Sequence, residues 1–71
     1  MQTQYGKALR TYRRAQRVTQ QQLSEALGYS HASHIHRREL RGMTRVEYAE
    51  AIAAIERIVA ARMQVTPKEV L

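Results

Sequence analysis

The sequence predicts an all-α fold: a small bundle of four to five helices ending in a long C-terminal one. Three observations lead there. A helix-start code, threonine followed three residues later by glutamine or glutamate, recurs at Thr19/Gln22, Thr44/Glu47 and Thr66/Glu69. Between these codes, apolar residues return at steps of three and four. No stretch alternates apolar and polar residues with the β-branched enrichment of a strand, and the one proline, Pro67, falls near the end.

The first helix is expected over residues 3–16. Tyr5, Ala8, Leu9, Tyr12 and Ala15 form its apolar stripe, flanked by Lys7, Arg10, Arg13 and Arg14. Arg17 then stands where a glycine would suit a left-handed helix end, at a cost of about 1 kcal/mol for a residue with a Cβ. The second helix opens at Thr19, with Gln22 completing the capping box and Val18 with Leu23 as the hydrophobic staple. Leu23, Ala26 and Leu27 face inward, and Gly28 ends the helix.

The third helix starts near Ser30 or Ala32 and runs to about Leu40, closed by Gly42. Ile35 is the only large apolar residue between Tyr29 and Leu40, so it points inward. At 100° per residue, Ala32 and Glu39 share its side, while Ser33, His36, Arg37 and Arg41 lie opposite. The fourth helix opens at Thr44, with Glu47 in the box and Met43 and Tyr48 as the staple, and reaches about Met63. Its apolar residues (Val46, Ala49, Ile52, Ala53, Ile55, Ile58, Val59 and Met63) exceed what one face can hold, which points to burial beyond its own domain. Thr66, Pro67 and Glu69 repeat the start code and predict a fragment of a final helix.

The 71 residues make one domain, 1–71, whose core is small for lone stability. Cysteine is absent, so no disulfide or zinc–thiolate cluster staples it, and self-association is the remaining route to more buried area. The opening "MQTQYGKALR" lacks the apolar centre of a leader, and "AIAAIERIVAA" is interrupted by Glu56 and Arg57 and too short to span a bilayer. The expectation is a cytoplasmic protein with no membrane association. Charge is distributed unevenly. Residues 1–45 carry nine Lys and Arg against two Glu, whereas residues 46–71 carry three against four. The basic excess lies in the first two thirds and suits a polyanion.

Metal and catalytic readings are weak. His31 and His34 are spaced for one helix edge, but His36 points elsewhere and no cysteine or aspartate supplies further ligands, so no metal or cofactor is expected. Ser30 and Ser33 stand near histidines, yet serine at a helix start is far more often a cap. Without paired carboxylates or a phosphate loop, the chain reads as a non-enzyme, and no small-molecule ligand is expected.

A short helix, a tight turn at Gly28 and a second short helix with a polar, basic outer face form a helix-turn-helix. In such a unit the second helix enters the major groove. Small Ala32 and Ser33 permit close approach, and His36 and Arg37 are long enough to reach base edges, arginine being best suited to guanine. Thr19, Gln20 and Gln21 at the start of the second helix, Ser30 and His31 before the third, and Arg41 and Arg45 beyond it are the candidate phosphate contacts.

The stretch "LRTYRRAQRVTQQQLSEALGYS" resembles the opening of phage-repressor (Cro/Xre) helix-turn-helix domains, through Leu9, Arg10, Arg13, Thr19, Gln20, Leu23, Ala26, Leu27, Gly28 and Ser30. "HASHIHRRE" resembles their recognition helix, with Ile35 as its buried residue and Glu39 as its terminal acid. The resemblance covers about residues 5–42. It implies that Gln20 contacts backbone or bases, that Ala32, Ser33, His36 and Arg37 face the groove, and that Arg13 and Glu39 form a buried ion pair. The chain departs from that pattern by an extra residue between Ser30 and Ile35, another between Glu39 and Gly42, and by Arg38 in place of a second apolar residue.

The resulting expectation is a sequence-specific regulator of transcription, a repressor of phage, plasmid or bacterial type. It would bind double-stranded DNA as a homodimer, with residues 3–42 as the DNA-binding core and 44–71 as the C-terminal helix and dimerisation tail. Tyr48, Ile52, Ile55, Ile58, Val59 and Met63 are the candidate dimer interface. Two third helices would enter successive major grooves about 34 Å apart over an inverted repeat. The main alternative is a protein-interaction module, an antitoxin or anti-repressor that holds another protein with its long helix. An RNA adaptor is a weaker one, since exposed stacking aromatics are few.

Overall fold

The computed structural model describes the backbone of residues 3–70 and the side chains of residues 4–63. Four helices follow one another: α1 (Thr3–Ala15), α2 (Gln20–Ala26), α3 (Ser33–Arg41) and α4 (Arg45–Val70). There is no strand among the described residues. Helices α1 and α2 each pack against both α3 and α4. The core between them consists of Leu9, Val18, Leu23, Ile35, Met43, Ala51, Ala54 and Ile55, with Tyr5, Tyr12, Leu27, Tyr48, Ile52, Ile58 and Val59 packed around it.

The local codes for α2 and α4 form as written. The Gln22 amide donates to Thr19 Oγ1 at 3.0 Å, and the Thr19 amide donates to Gln22 Oε1 at 2.8 Å. The Glu47 amide donates to Thr44 Oγ1 at 3.1 Å, and the Thr44 amide to Glu47 Oε1 at 2.9 Å. Each box satisfies two donors that a helix start otherwise leaves bare. That Thr44 bond, followed by the charge of Arg38, holds the Glu47 carboxyl below its ordinary range.

Arg17 adopts φ 57°, the left-handed conformation that a glycine would take more easily at the end of α1. The Val18 amide reaches back to the Arg13 carbonyl at 3.0 Å, closing the helix end. Arg62 of α4 adds to this closure, donating to the Gln16 carbonyl at 2.8 Å and the Arg17 carbonyl at 2.9 Å. A guanidinium there also faces the negative end of the α1 dipole.

Several expected faces are rotated. In α1, Ala8 and Ala15 are exposed, while Gly6, Leu9 and Arg13 are buried. The cause is the close approach of α3: a Cβ on Gly6 would lie 2.6 Å from the Glu39 carbonyl oxygen. In α2, Ala26 is exposed and Ser24 is buried instead. Ser24 Oγ donates to the His31 carbonyl at 2.9 Å, and its own carbonyl accepts from the Tyr29 amide at 2.9 Å, which folds the α2–α3 connection back onto α2. Ser30 therefore does not cap α3. Its N-cap is Ala32, which makes no side-chain capping bond.

The fifth helix expected at Thr66 is not separate, because α4 stays helical through Pro67 to Val70. No glycine or asparagine lies between Met63 and Thr66 to stop the helix before the new start code. The side chains of that code, and Leu71 altogether, lie outside the described residues.

Candidate functional site

The polar residues of α3 divide into an inner edge, a side edge and an outer face. On the inner edge, Glu39 is buried and receives three hydrogen bonds. Arg13 Nε donates to Oε2 at 2.8 Å, Arg13 Nη2 to Oε1 at 3.1 Å, and Gln20 Nε2 to Oε1 at 3.1 Å. Arg13 Nη1 donates to the Val18 carbonyl at 2.9 Å. Arg13 and Glu39 thus form the pair the resemblance implied, with the bidentate geometry that suits a guanidinium and a carboxylate. One network joins α1, the α1–α2 turn, α2 and α3. Among the described residues no buried side-chain nitrogen or oxygen lacks a partner.

On the side edge, His34 and Arg38 both turn to Tyr29. The His34 ring stacks on Tyr29 with centroids 4.8 Å apart and planes 20° apart. Arg38 lies over the same ring at 5.0 Å and donates from Nη2 to the Tyr29 hydroxyl at 2.7 Å. The same nitrogen stands 3.4 Å from Glu47 Oε2, so Arg38 bridges the α2–α3 connection and the start of α4. The residue that departs from the apolar pattern thereby takes a structural position. Its charge meets a ring, a hydroxyl and a carboxylate.

The outer face is formed by Ser33, His36, Arg37, Leu40 and Arg41, all exposed. Of the groove-facing candidates, Ser33, His36 and Arg37 come together here, and Ala32 sits half-buried at the helix start. Arg41 closes the face at its C-terminal end, and Arg45 is exposed at the start of α4. Ser30 and His31 are exposed in the connection before α3. The other phosphate candidates are already engaged: Thr19 Oγ1 caps α2, Gln20 is half-buried with its amide nitrogen on Glu39, and Gln21 Nε2 donates to Glu25 Oε2 at 2.9 Å.

Comparison with protein-family models, curated proteins and solved structures finds no match to this chain. The outer face of α3 offers guanidinium and imidazole groups and a hydroxyl, backed by a buried, fully hydrogen-bonded ion-pair network. Lys7, Arg14 and Arg17 are exposed on α1 and at its end, and Arg10 is half-exposed, extending the positive charge of this part of the chain. Among the described residues, no cluster of three or more His, Cys, Asp or Glu stands together, and no helix is long and apolar enough to cross a membrane.

The expected dimer surface changes. Ile55 is fully buried within this chain and has no surface to offer a second copy. Tyr48, Ile52, Ile58 and Val59 pack partly against the core of the same chain. Tyr48, half-buried, meets Tyr5 of α1 with ring centroids 5.2 Å apart. Met63, 69% exposed, keeps its outward position, and Val46, 67% exposed, joins it as an exposed apolar residue of α4. The surplus inferred from the sequence is smaller because both α1 and α2 pack against α4. Sequence reasoning missed Leu40, which is exposed on the outer face, and its place on the helical wheel opposite Ile35 was the available signal.

Proposed function

We propose that this chain is a sequence-specific double-stranded DNA-binding regulator of transcription, a repressor that acts as a homodimer in the cytoplasm. The observation that carries the reading is the division of α3. Its inner edge is locked by Glu39, Arg13 and Gln20, while Ser33, His36, Arg37 and Arg41 lie exposed on the other side. A helix held this way is a rigid rod that presents donors to a groove. Arg37 matches guanine O6 and N7, and His36 and Ser33 offer both a donor and an acceptor to neighbouring edges. Arg41 and Arg45 suit the flanking phosphates, and the basic excess of residues 1–45 supports attraction to the polyanion.

In this reading a second copy docks through the exposed part of α4, with Met63 and the partly exposed Ile58 and Val59 as its apolar contacts. Two α3 helices then address half-sites about 34 Å apart. Selection from a random duplex library tests the proposal: an enriched inverted repeat is expected, and no enrichment of any duplex overturns it. Sedimentation tests the second copy separately, since a monodisperse monomer at micromolar concentration removes the dimer.

A further inference from the structure

Leu40 is 58% exposed, and it is the one apolar side chain on the outer face of α3. An exposed leucine is ordinary by itself. Its position gives it meaning. At 100° per residue, Ser33, Arg37 and Leu40 fall within about 60° of one another, opposite Ile35. His36 and Arg41 flank that line, and both are exposed. The leucine therefore lies in angular line with Ser33 and Arg37, one turn C-terminal to Arg37 and just before Arg41, so it extends the base-facing line toward the end of α3.

We propose that Leu40 is a specificity-determining residue that reads a C5-methyl pyrimidine, thymine in ordinary DNA, by apolar contact in the major groove. The inference rests on the DNA-binding reading and deepens it. A leucine has no donor or acceptor. Pressed against the amino group of adenine or cytosine, or against guanine O6, it displaces water and returns no hydrogen bond. The thymine methyl is the one major-groove group that gains by burial against it. Arg37 and Leu40 are about 4.5 Å apart along the helix axis. Base pairs stack at about 3.4 Å. The methyl thus lies one or two base pairs from the position Arg37 contacts.

The experiment uses the intact chain and the duplex enriched from a random library. Each thymine is replaced in turn by deoxyuridine, which removes the methyl and leaves the pairing unchanged. The expected result is one sensitive position per half-site, weakened about fourfold, the factor for one buried methyl-sized group. Leu40→Ala should bind the thymine and deoxyuridine duplexes alike, while Arg37→Ala should keep the methyl dependence. Cytosine at the sensitive position should bind weakly, and 5-methylcytosine should recover part of the loss. Leu40→Gln serves as a second variant, expected to lose the same dependence. Deoxyuridine without effect at every position, or Leu40→Ala retaining the wild-type dependence, overturns the assignment while leaving DNA binding in place. Failure to enrich any duplex overturns the DNA-binding reading and this inference with it.

Discussion

Arg13 of α1 grips Glu39 of α3 with two hydrogen bonds, at 2.8 and 3.1 Å, across 26 positions of chain. This pair sets the roll of α3 about its own axis and hence which side chains face outward. Removing one member leaves a buried charge alone. Glu39→Ala is expected to destabilise the protein by about 3–5 kcal/mol in urea unfolding. Arg13→Met with Glu39→Met should cost less than the sum of the two single changes, because neither charge is then stranded. Additive losses would mean that the pair is not coupled.

Gly6 is a second point where α1 and α3 meet. A Cβ there would lie 2.6 Å from the Glu39 carbonyl oxygen and 3.0 Å from that of Arg38, both of them backbone atoms. Alanine favours a helix by about 1 kcal/mol over glycine. Gly6→Ala is nevertheless expected to lower stability, by about 1–3 kcal/mol, because α3 must shift as a unit to make room. A midpoint in thermal unfolding equal to or above wild type would show that the helices separate at little cost.

Arg17 stands at φ 57°, where a side chain is disfavoured. Its carbonyl, not its side chain, takes the bond from Arg62. Arg17→Gly should therefore keep the turn and raise stability by about 0.5–1 kcal/mol, the relief of strain being partly offset by the greater freedom of the unfolded chain. Denaturant midpoints of the two proteins check this directly.

Arg37 and Arg45 should behave differently on DNA. Arg37→Ala is expected to reduce binding of the enriched site by about 1–3 kcal/mol and to relax one operator position. Arg45→Ala should weaken all duplexes alike and lower the salt slope by about 1. Titrations of specific and scrambled duplexes at several salt concentrations separate the two patterns, and identical behaviour of both variants would remove the division between base and phosphate contacts.

The sequence by itself determined the helix starts at Thr19 and Thr44, the end of α1 near Arg17 and the inward face of Ile35, while the left-handed φ of Arg17 was settled by the structure. The physical reason is range. A capping box closes over three residues, a helix end over five, and a wheel needs only the spacing of one element. The tertiary structure alone decided which flank of α1 and α2 is buried, since Gly6 yields to a carbonyl of α3 and Ser24 to one in the connection before it. It also decided that Arg38 turns inward to Tyr29 and Glu47, that Arg62 seals α1 from 46 positions away and that Ile55 is interior. Those outcomes depend on which surfaces meet. Because apolar burial is non-directional, a leucine or an isoleucine on the wheel does not say which neighbour, if any, will cover it.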